Sequence, residues 1–191
     1  MIEIRIHGRG GQGNVVAAYL LAAAAFVEGR YAQAFPNFGA ERRGAPVTAF
    51  VRIADKPIRR RCQVLQPAFL IIQDDAQLHV PGILQGLKPG GGILVNSTRS
   101  GDELGHATGQ TVVTLPATSL AMEILGRPVP NTALLSAFLE LTGLLPNSAL
   151  IEALGERFTG RVFERNRDLI KRAAELVTKS GWEEQIHAES A

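Results

Sequence analysis

The chain has 191 residues, 46% of them hydrophobic, one cysteine and a formal net charge of +2. That length and apolar content suit a single domain with a sizeable core. The lone Cys62 excludes an iron–sulfur cluster or a cysteine-rich zinc site and agrees with a reducing, cytoplasmic compartment, and the apolar run Val15 to Val27 is too short to span a bilayer and lacks the basic leader of a signal peptide.

In chain order, Ile2, Ile4 and Ile6 alternate with Glu3 and Arg5, the period of a half-buried strand. Asn14 to Glu28 reads as a helix that is apolar nearly all round, stopped by Gly29. Tyr31 to Phe35 predicts a second strand, and residues 36–46 a loop dense in Pro and Gly. Val47 to Ile53 and Ile58 to Val64 predict a hairpin turning at Ala54-Asp55-Lys56-Pro57. Phe69 to Ile72 is a short buried strand, followed by a helix over Ala76 to Leu84. Ile93 to Asn96 and Thr111 to Leu115 are two further strands. From Ser119 the pattern is helical, with Asn131-Thr132 as N-cap region for Ala133 to Leu141, Asn147 capping Ser148 to Leu154, and an amphipathic helix over Phe163 to Thr178. Together these predict an α/β fold: a three-layer, mostly parallel sheet with flanking helices, Rossmann-like, with an inserted β-hairpin. One domain covers 1–182, and 183–191 is an acidic tail expected to fray.

Charge is unevenly spread: residues 1–61 hold ten Lys/Arg against four Asp/Glu, residues 62–191 ten against fourteen. A basic half attracts phosphates or an acidic partner surface. Nucleic acid is not expected, because no recognition helix or RNA-binding signature accompanies it. The glycines Gly8-x-Gly10-x-x-Gly13 fall between a strand pattern and a helix pattern, the context in which this spacing cradles phosphate. Gly8, Arg9, Gly10, Gly11, Gln12 and Gly13 are therefore candidate binding residues. A nicotinamide site also needs an acid about twenty positions later, and Tyr31 to Phe35 has none. The loop containing Phe38, Glu41, Arg42, Arg43 and Gly44 is the second candidate, since adjacent arginines clamp phosphate or stack on a purine. Asp74 reads as a helix cap, Cys62 as inert, and the four histidines lack metal-ligand spacing. No catalytic constellation is present.

Gly8-Arg9-Gly10-Gly11-Gln12-Gly13, Tyr31-Ala32-Gln33-Ala34-Phe35-Pro36 and Phe38-Gly39-Ala40-Glu41-Arg42-Arg43-Gly44-Ala45-Pro46-Val47 resemble the gamma subunit of pyruvate:ferredoxin oxidoreductase and related 2-oxoacid:acceptor oxidoreductases. Asp55-Lys56-Pro57-Ile58, Asp74, Asn96 and Asn131 are weaker matches. The resemblance implies a subunit supporting coenzyme A-dependent oxidative decarboxylation of a 2-oxoacid to acyl-CoA, carbon dioxide and reduced ferredoxin. It implies thiamine diphosphate and [4Fe-4S] clusters on partner subunits, with electrons leaving to ferredoxin or flavodoxin. It places coenzyme A against Gly8 to Gly13 and Glu41 to Gly44, and leaves the isolated chain inactive. Two alternatives stand beside this: a non-catalytic assembly module of the same complex, and a free-standing dinucleotide-binding oxidoreductase. The apolar first helix also suits a homodimer of the isolated chain.

Overall fold

The computed structural model describes residues 1–37 and 46–190, the last four of these by backbone alone. A six-stranded sheet runs in the order β2-β3-β1-β4-β5-β6, formed by β1 (Ile2–Arg9), β2 (Tyr31–Asn37), β3 (Pro46–Ala54), β4 (Phe69–Ile72), β5 (Gly92–Asn96) and β6 (Val112–Leu115). β1, β4, β5 and β6 are mutually parallel, with Ile4 opposite Phe69 and His7 opposite Ile72. β3 is antiparallel to both β1 and β2. Helices are α1 (Asn14–Val27), α2 (Gly101–Thr108), α3 (Ala117–Leu125), α4 (Asn131–Thr142), α5 (Asn147–Gly155), α6 (Gly160–Ala174) and α7 (Glu183–Ser190).

Ile2, Ile4 and Ile6 point into the main core with α1, α3, α4, α5 and α6. A smaller cluster of Leu70, Ile72, Ile93, Val95, Ile83 and Leu104 covers the other face of β4 and β5. The two faces therefore receive different crossovers: α1 leaves β1 toward the first, and the chain after β4 folds over the second. The carboxyl ends of β1 and β4 form a switch point, where α/β sheets open a crevice.

The inserted antiparallel pair is β2–β3, not 47–53 with 58–64. β3 already has a neighbour on each side, so no edge remains for another strand. Instead the buried Arg52 guanidinium collects the carbonyls of Cys62 (2.7 Å) and Gln63 (3.3 Å) and holds 62–63 against the sheet. Arg59, Arg60 and Arg61 are exposed outside any strand. Arg52 also pairs with Glu3 at 2.7 Å and donates to Gln33 Oε1 at 3.0 Å.

The helix expected over 76–84 shrinks to a 3-10 turn, Asp75–His79, capped by Asp74. Pro81 and positive-φ glycines Gly82 and Gly86 follow, and a Cβ on Gly86 would overlap Leu65 O. α2 has no counterpart in the sequence reading, although Ser100 Oγ accepts from Glu103 N as its N-cap. Pro130 and Pro146, rather than Asn131 and Asn147, occupy the N-cap positions of α4 and α5. The amphipathic helix ends at Ala174, leaving Leu176 outside it and exposed. The tail expected to fray over 183–191 instead forms α7 over Glu183–Ser190, preceded by Trp182, which is buried and stacks on Phe69 at 5.7 Å. Phe69 also meets Phe138 edge-on at 5.4 Å; such pairs contribute about 0.5–1.5 kcal/mol each beyond area burial.

Candidate functional site

The turn at the end of β1 is narrower than the glycine spacing indicates. Gly8 and Arg9 remain in the strand, opposite Val47 and Pro46. Gly8 lacks a side chain because Asn14 lies over it: a Cβ there would overlap Asn14 Oδ1. Asn14 in turn donates from Nδ2 to Val47 O at 2.8 Å, tying α1 to β3. The reversal itself spans Gly10 to Gly13, with Gly11 at φ 98° and Gly13 at φ 84°, a conformation that favours glycine. Gln12 closes it twice, its N–H donating to Arg9 O (3.1 Å) and its Oε1 accepting from Arg9 N (2.7 Å).

Gly13 is the N-cap of α1 and supplies no side-chain bond to the first turn, which also contains no acidic residue. The leading amides of a helix in this state carry a partial positive charge that suits an anion. A Cβ on Gly11 would meet no atom of the described residues within 4 Å. Asn131 presses against Gly13 and donates to its carbonyl at 3.4 Å.

Residues distant in sequence brace this turn. Arg9 Nε donates to Asp74 Oδ2 at 2.6 Å, while Asp74 Oδ1 accepts from Ala76 N at 3.1 Å. Asp74 thus caps the 3-10 turn, as expected, and also anchors Arg9. Asn96 links three elements: Nδ2 donates to Gln73 O (3.0 Å) and Thr118 Oγ1 (2.8 Å), and Oδ1 accepts from Thr118 N (3.0 Å). Ser97 Oγ donates to Asp75 Oδ2 at 2.6 Å. Of the three isolated matches, Asp74 and Asn131 therefore bond directly to the glycine turn, and Asn96 ties Gln73, the neighbour of Asp74, to Thr118.

His7 lies in β1, three residues before the reversal at Gly10. Burial, with the Arg5 charge adding to it, lowers its pKa to about 3, so it is neutral at pH 7. Its Nδ1 is 3.3 Å from Thr48 Oγ1. Gln73 is fully buried, and neither its Oε1 nor its Nε2 has a partner among the described residues. Neither the alternation along β1 nor the position of Gln73 just after β4 signals the burial of these two polar side chains.

Gly8, Arg9, Gly10, Gly11, Gln12 and Gly13 are thus brought together at the switch point. Phe38, Glu41, Arg42, Arg43 and Gly44 lie outside the described residues. Their described flanks, Asn37 and Pro46, pair with Thr48 and Arg9 respectively, at the same end of the sheet. Among the described residues no group of His, Cys, Asp and Glu could hold a metal ion. No helix among them is long and apolar enough to cross a membrane.

The sequence matches the pyruvate ferredoxin/flavodoxin oxidoreductase family over residues 3–176. The chain belongs to that family. It is 48% identical over 179 residues to the pyruvate synthase subunit PorC of Methanothermobacter thermautotrophicus, covering 94% of this chain and 97% of the relative. It is also 48% identical over 184 residues to the common gamma subunit of the pyruvate/ketoisovalerate oxidoreductases of Thermococcus kodakarensis, covering 94% and 97%. The crystal structure of the pyruvate oxidoreductase subunit PORC of Thermotoga maritima superposes with a TM-score of 0.83 at 36% identity, over 91% of this chain and 95% of that one. Family membership therefore rests on more than nine-tenths of the chain, and the mixed six-stranded α/β fold is the one expected of a gamma-type subunit of an oxidoreductase complex.

Proposed function

We propose that this chain is the gamma subunit of a cytoplasmic 2-oxoacid:ferredoxin oxidoreductase acting on pyruvate or a close relative, and that its glycine turn forms one wall of the coenzyme A site. Residues 1–182 serve as one α/β domain, with 183–191 appended. The observation that carries the reading is the α1 N-terminus at Gly13, whose N-cap residue makes no side-chain bond and whose first turn has no acidic residue, set at the switch point of the sheet. Bound coenzyme A would supply the thiol that accepts the acyl group. The amides of Gly11 and of Gly13 to Val15 hold phosphate, Gln12 and Arg9 keep the turn closed through the Gln12 N–H to Arg9 O bond, and Arg42 and Arg43 add charge from the adjoining segment. Thiamine diphosphate and [4Fe-4S] clusters belong to partner subunits, a placement supported by the single cysteine here. Ferredoxin or flavodoxin takes the electrons through the assembled complex.

Titration calorimetry of coenzyme A into the reconstituted complex tests this. Val15→Asp places a carboxylate in the first turn of α1, where it favours the helix by about 0.3–1 kcal/mol yet repels phosphate. Affinity is expected to fall roughly tenfold, about 1.4 kcal/mol, in Val15→Asp and in each of Arg42→Ala and Arg43→Ala, with the chain no less stable. Unchanged affinity in all three would sink the assignment and leave the assembly-module alternative.

A further inference from the structure

A second concave surface adjoins the glycine turn, with Gly13 and Asn131 in its lining. It is a groove of about 410 Å³ between the first turns of α1, the α3–α4 connection and the start of α6. Its floor is apolar, with Val16 and Leu20 from α1, Val129 from the connection and Phe158 ahead of α6. Three guanidinium groups, Arg127, Arg161 and Arg165, line it, and among the described residues no carboxylate does. Arg165 is fastened by donating from Nη1 to Leu125 O at 3.3 Å. Arg127 and Arg161 are exposed and have no ion-pair partner among the described residues. The nearest α6 carboxylate in sequence, Glu164, is engaged by Arg167.

Exposed apolar side chains also occur at this groove and on the helices that line it. Val162 in its wall is 53% exposed. Tyr19, three residues on from Val16, is 46% exposed, and Met122, three residues before Leu125, is 49% exposed. Residues three apart on a helix share a face, so Tyr19 and Met122 extend the apolar surface beyond the groove rim. A small anionic metabolite satisfies the arginines but leaves this surround wet. A protein segment covers both, and arginine with large apolar side chains is the composition enriched at protein interfaces.

We propose that this groove docks an acidic segment of another protein chain, one that seats apolar side chains between α1 and α6 and sets carboxylates against Arg127, Arg161 and Arg165. The occupant is a partner subunit of the same complex, so the inference extends the proposed function without relying on where coenzyme A binds.

The test is assembly of the full chain with its purified partner subunits, followed by sedimentation. Arg127→Glu with Arg161→Glu is expected to weaken assembly about tenfold or more, as reversal of interfacial charge does, while the isolated chain keeps its melting temperature because both side chains are exposed. Wild-type assembly should weaken as salt rises. A photo-crosslinker at Val162 should label an acidic stretch of a partner subunit. Assembly of the doubly reversed chain within about twofold of wild type would overturn the proposal. So would crosslinks confined to this chain, or protection of the Val162 position by coenzyme A or inorganic phosphate alone. Coenzyme A affinity of the Val15→Asp complex reads the earlier assignment separately.

Discussion

Along β1, Ile2, Ile4 and Ile6 face the helical core while Glu3, Arg5 and His7 face the opposite side of the sheet, and both sets are buried. The isoleucines are no more than 1% exposed, and the polar residues only 8–9%. On the first face burial follows from helices with matching apolar sides. On the second, irregular chain covers the strand, and specific bonds replace water. Glu3 meets Arg52, and Arg5 Nη2 donates to Ile83 O at 2.9 Å. His7 remains neutral. Alternation of polarity thus marks which side chains need partners, not which ones reach solvent.

Substitutions can break this comparison. The largest effect belongs to Arg52→Met, which leaves the Glu3 carboxylate buried and unpaired and frees the Cys62 and Gln63 carbonyls; a loss of about 3–5 kcal/mol is expected in denaturant titration. Adding Glu3→Gln should restore part of it. Ile4→Ala on the apolar face should cost about 2–5 kcal/mol, and a polar-face loss under about 1 kcal/mol would mean the charged pair does not contribute comparably. His7→Gln sharpens the picture through pH. The folded pKa near 3 lies below the ordinary 6.5, so the unfolded chain binds the extra proton, and stability falls as pH drops from about 6.5 toward 3. The slope from this one group is at most about 1.4 kcal/mol per pH unit, and the His7→Gln chain should lack that component in urea melts taken across the range. Smallest is Arg9→Ala: its partly exposed bond to Asp74 should be worth about 0–1 kcal/mol in stability. A larger loss would show that Asp74 depends on Arg9 to hold the 3-10 turn.

Local signals were legible where a single element decided them. The isoleucine period located β1, Gly29 the end of α1, and the apolar tetrad Phe69–Ile72 all of β4. The failed strand at 58–64 was not, because its pattern suits a strand and only the occupied edges of β3 exclude it. α2 was obscured by Gly101 and Gly105, poor helix formers, although its Ser100–Glu103 cap is written in the chain. At the site, the glycine turn was readable from spacing. Its supports were not: Asp74 reaches Arg9 across 65 positions and Asn131 reaches Gly13 across 118. Such pairings depend on strand order and helix placement, which no local pattern encodes. The arginine groove was hidden for the same reason, since its three guanidinium groups sit on different turns of α6 and on the connection before α4.

Trp182 is the only tryptophan in the chain, and it sits against Phe69 and Gly92 at the amino ends of β4 and β5, the opposite end of the sheet from the glycine turn. Intrinsic fluorescence of this protein is therefore an optical gauge of one joint, the seam between the C-terminal helix and the sheet. Denaturation followed at that wavelength dates the release of this seam. A ligand that binds at the turn should leave the signal still unless it shifts the sheet as a whole.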